Sequence, residues 1–424
     1  FWVDEAFSAV PVLCQSYSSS PDQLTWTFTL RSGVTFSDGT PLTAQVVAEA
    51  LNTARGAGSR YASRLSGVSS VEADADGRVV VSLRSPNGSL PLLLDIPIAL
   101  DVSDRPAGTG PYVLSSADGG LVLTARPGWW QNKQLPFEQI PLYSVSKSDE
   151  LIYAFDAGNI SLLDVDLMAT NAMGYGGNYQ TWDYTTTDLI YLGFNTRSGL
   201  CRSAQVRLAI SAAIDRFALA QTTYASHAVP SVLPVHPDSP LFSQQVADRL
   251  AYNPDLLAGQ LDSLGLADEE LRLLVNSENE AKVSAAQLIA YQLESAGLTV
   301  QVEQLSYEDY TDALTKGSFD LYVGETVLTA DFDLSPLLSS SGSLNYGRWQ
   351  NATTDSLLSA MHAADQGEAK VSAALNLFTH LEQQMPLSPL LFKNGSVLTQ
   401  WGRLTGLTPL RSNVFYQLES WITQ

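Results

Sequence analysis

A chain of 424 residues is too long for one small hydrophobic core, and two or three domains are expected. Hydrophobic residues make up 45% of it, an ordinary share for a globular protein, and no run of about 18 apolar residues is present to span a membrane. The net charge of -21 argues against the basic surface that DNA or RNA phosphates require, so nucleic acid is not an expected partner.

Residues 1 to about 100 read as β-rich with one helix. Leu24–Arg31 alternates Trp26, Phe28 and Leu30 with threonines, the pattern of a half-buried strand. Asp38-Gly39 is a hairpin signal and Pro41 closes the strand run. Ala44–Arg55 follows as a helix with Val47, Ala50 and Leu51 on one face, and a second strand pair turns around Asp76-Gly77. Two cysteines, Cys14 and Cys201, offer neither a metal-ligand spacing nor a disulfide framework, and are read as buried thiols, with a single bridge left open. Phe1 is preceded by no methionine, basic segment or cleavage site, so any export signal is expected to have been removed and the compartment is not read from these residues.

The centre of the chain is Asp188–Arg216. Leu189–Phe194 reads as a strand, and an amphipathic helix follows with Ser203 as N-cap and Val206, Ile210, Ala213, Ile214 and Phe217 at helical spacing. The text on either side is self-contained, which makes this stretch a domain crossing. Beyond it, Tyr252–Leu266 is read as a helix ended by Gly265. A strand in LRLLVNS precedes a helix with Val283, Leu288, Tyr291 and Leu293 apolar and Gly297 at its end. LTVQVEQL, YEDYTDALTKG and FDLYVGETVL then read as strand, helix and strand, a βαβ-type layered domain. A long helix in VSAALNLFTHLEQQM leads to PLSPLLFKNGSVLTQW, which is expected to carry the chain back to the first domain.

Catalytic motifs are sparse. Ser144-Val145-Ser146-Lys147 satisfies S-x-x-K, but the S-D-N and K-T-G partners of serine acyl-enzymes are missing, and no H-E-x-x-H, G-x-S-x-G or phosphate-cradling loop occurs. Of the histidines His227, His236, His362 and His380, only the first two are close enough in sequence to suggest a metal pair. Neither catalysis nor a cofactor or resident metal is expected.

The block LTWTFTLRSGVTFSDGTPLTAQVVAEALNTAR resembles the signature of the family 5 extracellular solute-binding proteins, the receptors of ABC importers for peptides, nickel complexes and some oligosaccharides. Phe28, Leu30, Arg31, Gly33, Val34, Phe36, Asp38, Gly39, Thr40, Pro41, Leu42 and Ala44 carry the match. GTGPYVL, ARPGWWQNKQLPFEQI, ELIYAFDAGNISLLDVD and YLGFNTR…VRLAISAAIDR agree in the family's order. The resemblance implies an α/β, periplasmic-binding-protein-like type II fold of two lobes, with an extra subdomain in the first lobe. It implies 1–104 as a β-rich N-terminal part lacking the family's first strands, 105–192 with 391–424 as the core of the first lobe, and 193–390 as the second. Hinge crossings are expected near Tyr191 to Asn195 and Pro389 to Phe392.

The stretch Thr329–Trp349 carries the expected site. Asp331 and Asp333 follow a strand, and carboxylates at a strand's mouth in an α/β domain sit where such folds bind ligands. The resemblance implies that Asp331 pairs with a peptide's α-ammonium, with Asp333 and Pro336 resembling the Asp-Pro that follows, and a buried ammonium does require such a partner. A helix cap is the other reading of Asp331. Asn345 and Tyr346 match an Asn-Tyr of the next loop. Phe392 matches a tyrosine-bearing strand, with a core phenylalanine as its alternative. Glu325 adds an acid where relatives differ, and Leu328 replaces a common tryptophan.

The sequence thus predicts an extracellular or periplasmic receptor, held to the membrane by a lipidated N-terminus absent from this chain. It is expected to work as a monomer with the membrane permease of an ABC importer, and to capture a small molecule or short peptide by hinge closure. A nickel chelate, an oligosaccharide, or a sensory ligand-binding role are the alternatives.

Overall fold

The structure, a computed structural model, describes residues 1–100, 105–117, 119–170, 172–265 and 269–423. Leu266, where the predicted helix ends, and the boundary expected at residue 104 lie outside the described residues. The chain divides into two compact units. One holds Phe1–Val165, Met173–Tyr184 and Val397–Gln424, the other Asp166–Ala172 and Thr185–Ser396.

In unit 1 a four-stranded antiparallel sheet is ordered Cys14–Ser19, Thr25–Leu30, Val79–Leu83, Val68–Ala73. Trp26 and Phe28 are buried, as the period-2 alternation requires, and share a core with Val47, Ala48 and Leu51 of the helix Ala44–Ala54. Thr43 caps that helix by accepting from the Val46 N–H. Gly77 takes a φ of 74°, the left-handed turn that the Asp-Gly signal calls for. A second core in the same unit gathers Val397, Leu404, Leu407, Leu418 and Trp421 with Tyr112, Leu162 and Trp182.

Unit 2 is built on a mixed sheet. Leu387–Gln400 lies beside Tyr179–Phe194, then come Leu321–Val327, Glu270–Asn276 and Thr299–Leu305. Glu270–Asn276 runs parallel to both of its neighbours, with the helices Glu280–Ser295 and Tyr307–Lys316 as crossovers. Tyr179–Phe194 is antiparallel to Leu321–Val327, pairing Ile190 with Glu325 and Gly193 with Tyr322. A Cβ on Gly193 would sit 2.0 Å from the Tyr322 ring and one on Gly324 2.4 Å from the Tyr191 ring, so both glycines are there for space.

The two long strands belong to both units, and the division falls inside them, at Tyr184/Thr185 and Ser396/Val397. The periodic reading found only the apolar half of the first strand, because Tyr179–Asp188 is rich in threonine and aspartate.

The single helix predicted after Ser203 is two. Ala204–Ala212 is capped by Ser203, and Arg216–Thr222 is capped by Asp215, which accepts from the Ala218 N–H at 3.0 Å. Re-starting the helix rotates Phe217 outward, to 66% exposed. Tyr291 also faces solvent, since Ala285, Ala286, Ile289, Ala290 and Leu293 form the buried face of Glu280–Ser295.

Two arginines rivet these helices to the sheet. The Arg207 guanidinium donates to the carbonyls of Met385 (2.8 Å), Cys201 (2.6 Å), Arg202 (3.0 Å) and Gln384 (2.5 Å). Arg216 donates to the carbonyls of Pro389, Ser211 and Ile214 and, at 2.8 Å each, to the hydroxyls of Ser211 and Ser388. Both cysteines are buried free thiols. No described helix is long and apolar enough to cross a membrane.

Candidate functional site

All six residues singled out by sequence lie in unit 2. Leu321–Val327 delivers the chain into the loop Leu328–Leu334, where Asp331 is 3% exposed. Its carboxylate accepts from the Thr329 hydroxyl at 2.5 Å. Asp333 accepts from the Ser335 N–H at 2.9 Å in the turn that enters the short helix Ser335–Leu338, whose N-cap, Leu334, makes no side-chain cap bond, and the alternative reading of Asp331 as a helix cap has no such bond here either. Between them Phe332 holds a φ of +53°, a left-handed conformation that a bulky side chain rarely adopts. Its ring is buried against Phe392, which places that strain in the core.

A lysine of the helix Glu368–Gln384 attends this loop. Lys370 is 3% exposed and donates to the Met361 carbonyl at 2.5 Å. Burial lowers its pKa, and the charges of Asp331 and Asp333 act against that lowering. Asp331 therefore already has a cation in its field.

Asn345 is engaged in its own loop. Its amide donates to the carbonyls of Ser339 (3.0 Å) and Trp349 (2.7 Å), and its carbonyl oxygen accepts from the Trp349 N–H at 2.9 Å. Tyr346 is partly exposed, edge-on to Tyr322. Phe392 is fully buried between Phe332 and His236, with ring centroids 6.0 and 5.2 Å away.

Glu325 belongs to a different group, built across three adjacent strands. The register sets Ile190 opposite Glu325, so Asp188, two residues earlier, shares Glu325's face of the sheet. Lys393, on the strand at the other side of Asp188, is 6% exposed at its side chain and contacts Glu325 (2.6 Å), Asp166 (2.8 Å) and Asp188 (3.0 Å). Lys282, in the first turn of Glu280–Ser295, pairs with the other oxygen of Glu325 at 2.9 Å. A lysine at a helix N-terminus works against the dipole, and the Glu325 contact offsets this.

Burial works against the Lys393 charge, yet Asp188 and Glu325 foremost, with Asp166, raise its pKa. Burial likewise opposes ionisation of Glu325, but Lys282 and Lys393 hold its carboxyl below the usual range. Asp188 goes the other way: burial pushes it up, outweighing Lys393, while Glu325 and Asp166 add like charge. The two partners of the Lys393–Asp188 contact thus shift in the same direction, and the geometry explains it, because one ammonium serves three carboxylates.

Sequence reasoning missed Asp166, Asp188, Lys282 and Lys393 as a group. A signal was present, since Lys393 interrupts an apolar strand that is buried on both sides, where a lysine needs a partner. Which partners it finds is not written locally.

The family model for bacterial extracellular solute-binding proteins, family 5 Middle, matches residues 8–346. The chain belongs to this family. Its sequence is similar to a Brucella ovis protein named for peptide binding in an ABC transporter, 29% identical over 62% of this chain and 53% of that protein. The chain thus spans about half the length of that relative. It is also similar to the periplasmic murein peptide-binding protein MppA of Escherichia coli, 23% identical over 94% of this chain and 82% of MppA. In fold it resembles HbpA2 from Haemophilus parasuis, with a TM-score of 0.82 at 17% identity, covering 99% of this chain and 92% of that one. This family-5 solute-binding protein has the family's two-lobed α/β type II fold.

Proposed function

We propose that this solute-binding protein captures a short peptide outside the cytoplasmic membrane and presents it, as a monomer, to the permease of an ABC importer. The observation that carries the reading is the family match over 8–346 together with relatives named for peptide binding. Hinge closure about the two strands shared by both units is the motion proposed for capture.

Asp331 is proposed to take the ligand's α-ammonium, with Asp333, Tyr346 and Glu325 setting the surrounding polarity and Asn345 and Phe392 holding the loop and strand in place. Support comes from the buried carboxylate at a strand mouth, a position where an ammonium is tolerated only with a charged partner. Lys370 competes for the same charge and tempers the affinity.

Calorimetry with a library of short peptides on native protein and on Asp331→Asn tests the assignment. The variant is expected to bind at least about thirtyfold more weakly, as loss of one partner in a desolvated charge pair requires. Equal affinity, or binding confined to N-acetylated peptides, rules Asp331 out. Failure of every peptide, with a metal chelate or sugar recovered by native mass spectrometry, rules out the peptide reading itself.

A further inference from the structure

The Lys393 network has acceptor capacity left over. Among the described residues, Asp166, Asp188 and Glu325 face two lysines, Lys282 and Lys393. One Asp188 oxygen, Oδ1, is buried without a hydrogen-bond partner. A second group points the same way from a different element. Tyr224 follows the helix Arg216–Thr222, is 1% exposed, and its hydroxyl is buried with no hydrogen-bond partner. That hydroxyl lies within electrostatic reach of Glu325, Lys393, Asp188 and Asp166. Buried hydroxyls and carboxylate oxygens are almost always satisfied, so two orphans beside one ion-pair cluster mark a place for a guest.

The chemistry of that guest follows from the cluster. Three carboxylates against two ammonium groups leave one negative charge in excess, which favours a cation over a neutral molecule. Asp188 Oδ1 needs a donor, which a compact ammonium with several N–H groups can supply while turning another toward the Tyr224 oxygen. The cluster is partly open: Asp166, Glu325 and Asp188 side chains are 38%, 21% and 15% exposed, whereas Lys393 behind them is 6% exposed. The chain's net charge of -21 adds long-range attraction for a basic ligand.

We propose that Asp188, Tyr224 and the Lys393-centred carboxylates form a subsite for a primary ammonium group, the basic side chain of a bound peptide. The proposal rests on the peptide reading for the ligand's identity but not for the ammonium chemistry, and the test separates the two.

Melting temperatures are measured in methylammonium chloride and in tetramethylammonium chloride at matched concentration, for native protein, Tyr224→Phe and Asp188→Asn. In native protein methylammonium is expected to raise the midpoint by about 2 °C relative to tetramethylammonium, which has no N–H to donate. The difference is expected to vanish in Asp188→Asn and to fall by at least half in Tyr224→Phe. Tyr224→Phe keeps every charge and serves where Asp188→Asn folds poorly. No difference between the two salts in native protein, or the same difference in Tyr224→Phe, overturns the subsite and leaves an ordered water as its occupant.

In parallel, calorimetry compares Ala-Lys-Ala with Ala-norleucine-Ala. About tenfold tighter binding of the lysine peptide, lost in Tyr224→Phe, supports the assignment to a ligand side chain, and equal binding of the two peptides overturns that assignment. If methylammonium discriminates while neither peptide binds nor any peptide of the library, the subsite stands and the peptide reading falls.

Discussion

Unit 2 buries cations in two ways, and the contrast separates scaffold from site. Arg207 and Arg216, at 2% and 5% exposed, spend their donors on backbone carbonyls and serine hydroxyls, all within hydrogen-bond distance. Burial alone drives the Arg216 pKa down, to about 10, and the planar fork holds its charge against that. Lys393 meets carboxylates instead, and their oxygens outnumber its three N–H groups. A carbonyl cage is neutral and complete, so nothing further can enter it. A carboxylate cluster carries excess charge and unfilled acceptors, so it can bind and can titrate.

The largest expected effect tests the closed end of that contrast. Arg216→Ala removes the guanidinium bonds to three carbonyls and two hydroxyls inside the core, and the cost is about 3–5 kcal/mol. Chemical denaturation should show it undiminished from pH 5 to pH 8, because none of the carbonyls and hydroxyls involved titrates there.

Lys393→Met probes the open end. At pH 7 it takes the ammonium from Asp166 and Asp188 and leaves Glu325 with Lys282 alone, and should cost about 3 kcal/mol. Burial already raises the Asp188 pKa and Lys393 opposes it, so without the lysine Asp188 rises further above its unfolded value, the folded state binds the proton first and stability recovers as pH falls. A loss that stays constant down to pH 5 would put Lys393 in the same class as Arg216.

His236 gives a third, smaller case, a buried group kept neutral. Burial lowers its pKa from 6.5 to about 4, more than Asp238 raises it, and its Nδ1 accepts from the Asp238 N–H at 3.1 Å. The unfolded chain therefore takes up the proton first. Stability should be full above about pH 6.5 and fall by roughly 2–3 kcal/mol as pH drops toward 4. In His236→Gln, thermal melts across that range should lose this share of the pH dependence, and an unaltered profile would place the titration elsewhere.

Much of the fold was legible from local pattern. Period-2 alternation located Thr25–Leu30, the cap residue Ser203 marked a helix start, and Gly265 and Gly317 stand at left-handed C-caps. The misreadings have local causes too. Asp215 re-starts a helix that apolar spacing alone would continue, and the polar half of Tyr179–Phe194 hides a strand whose continuity only its sheet neighbours reveal. The loop around Asp331 was found as a motif, but its resident cation, Lys370, comes from a helix some forty residues onward and could not be read there.

By itself, then, the sequence determined the elements, the βαβ order of unit 2, the family and the acidic character, because each is carried by neighbouring residues or by overall composition. Tertiary structure alone decided which charges meet. Asp166, Asp188, Lys282, Glu325 and Lys393 come from five separate segments and are joined by sheet order and register. A buried ion's worth depends on its partners' distance and its loss of water, and neither exists until the chain has packed.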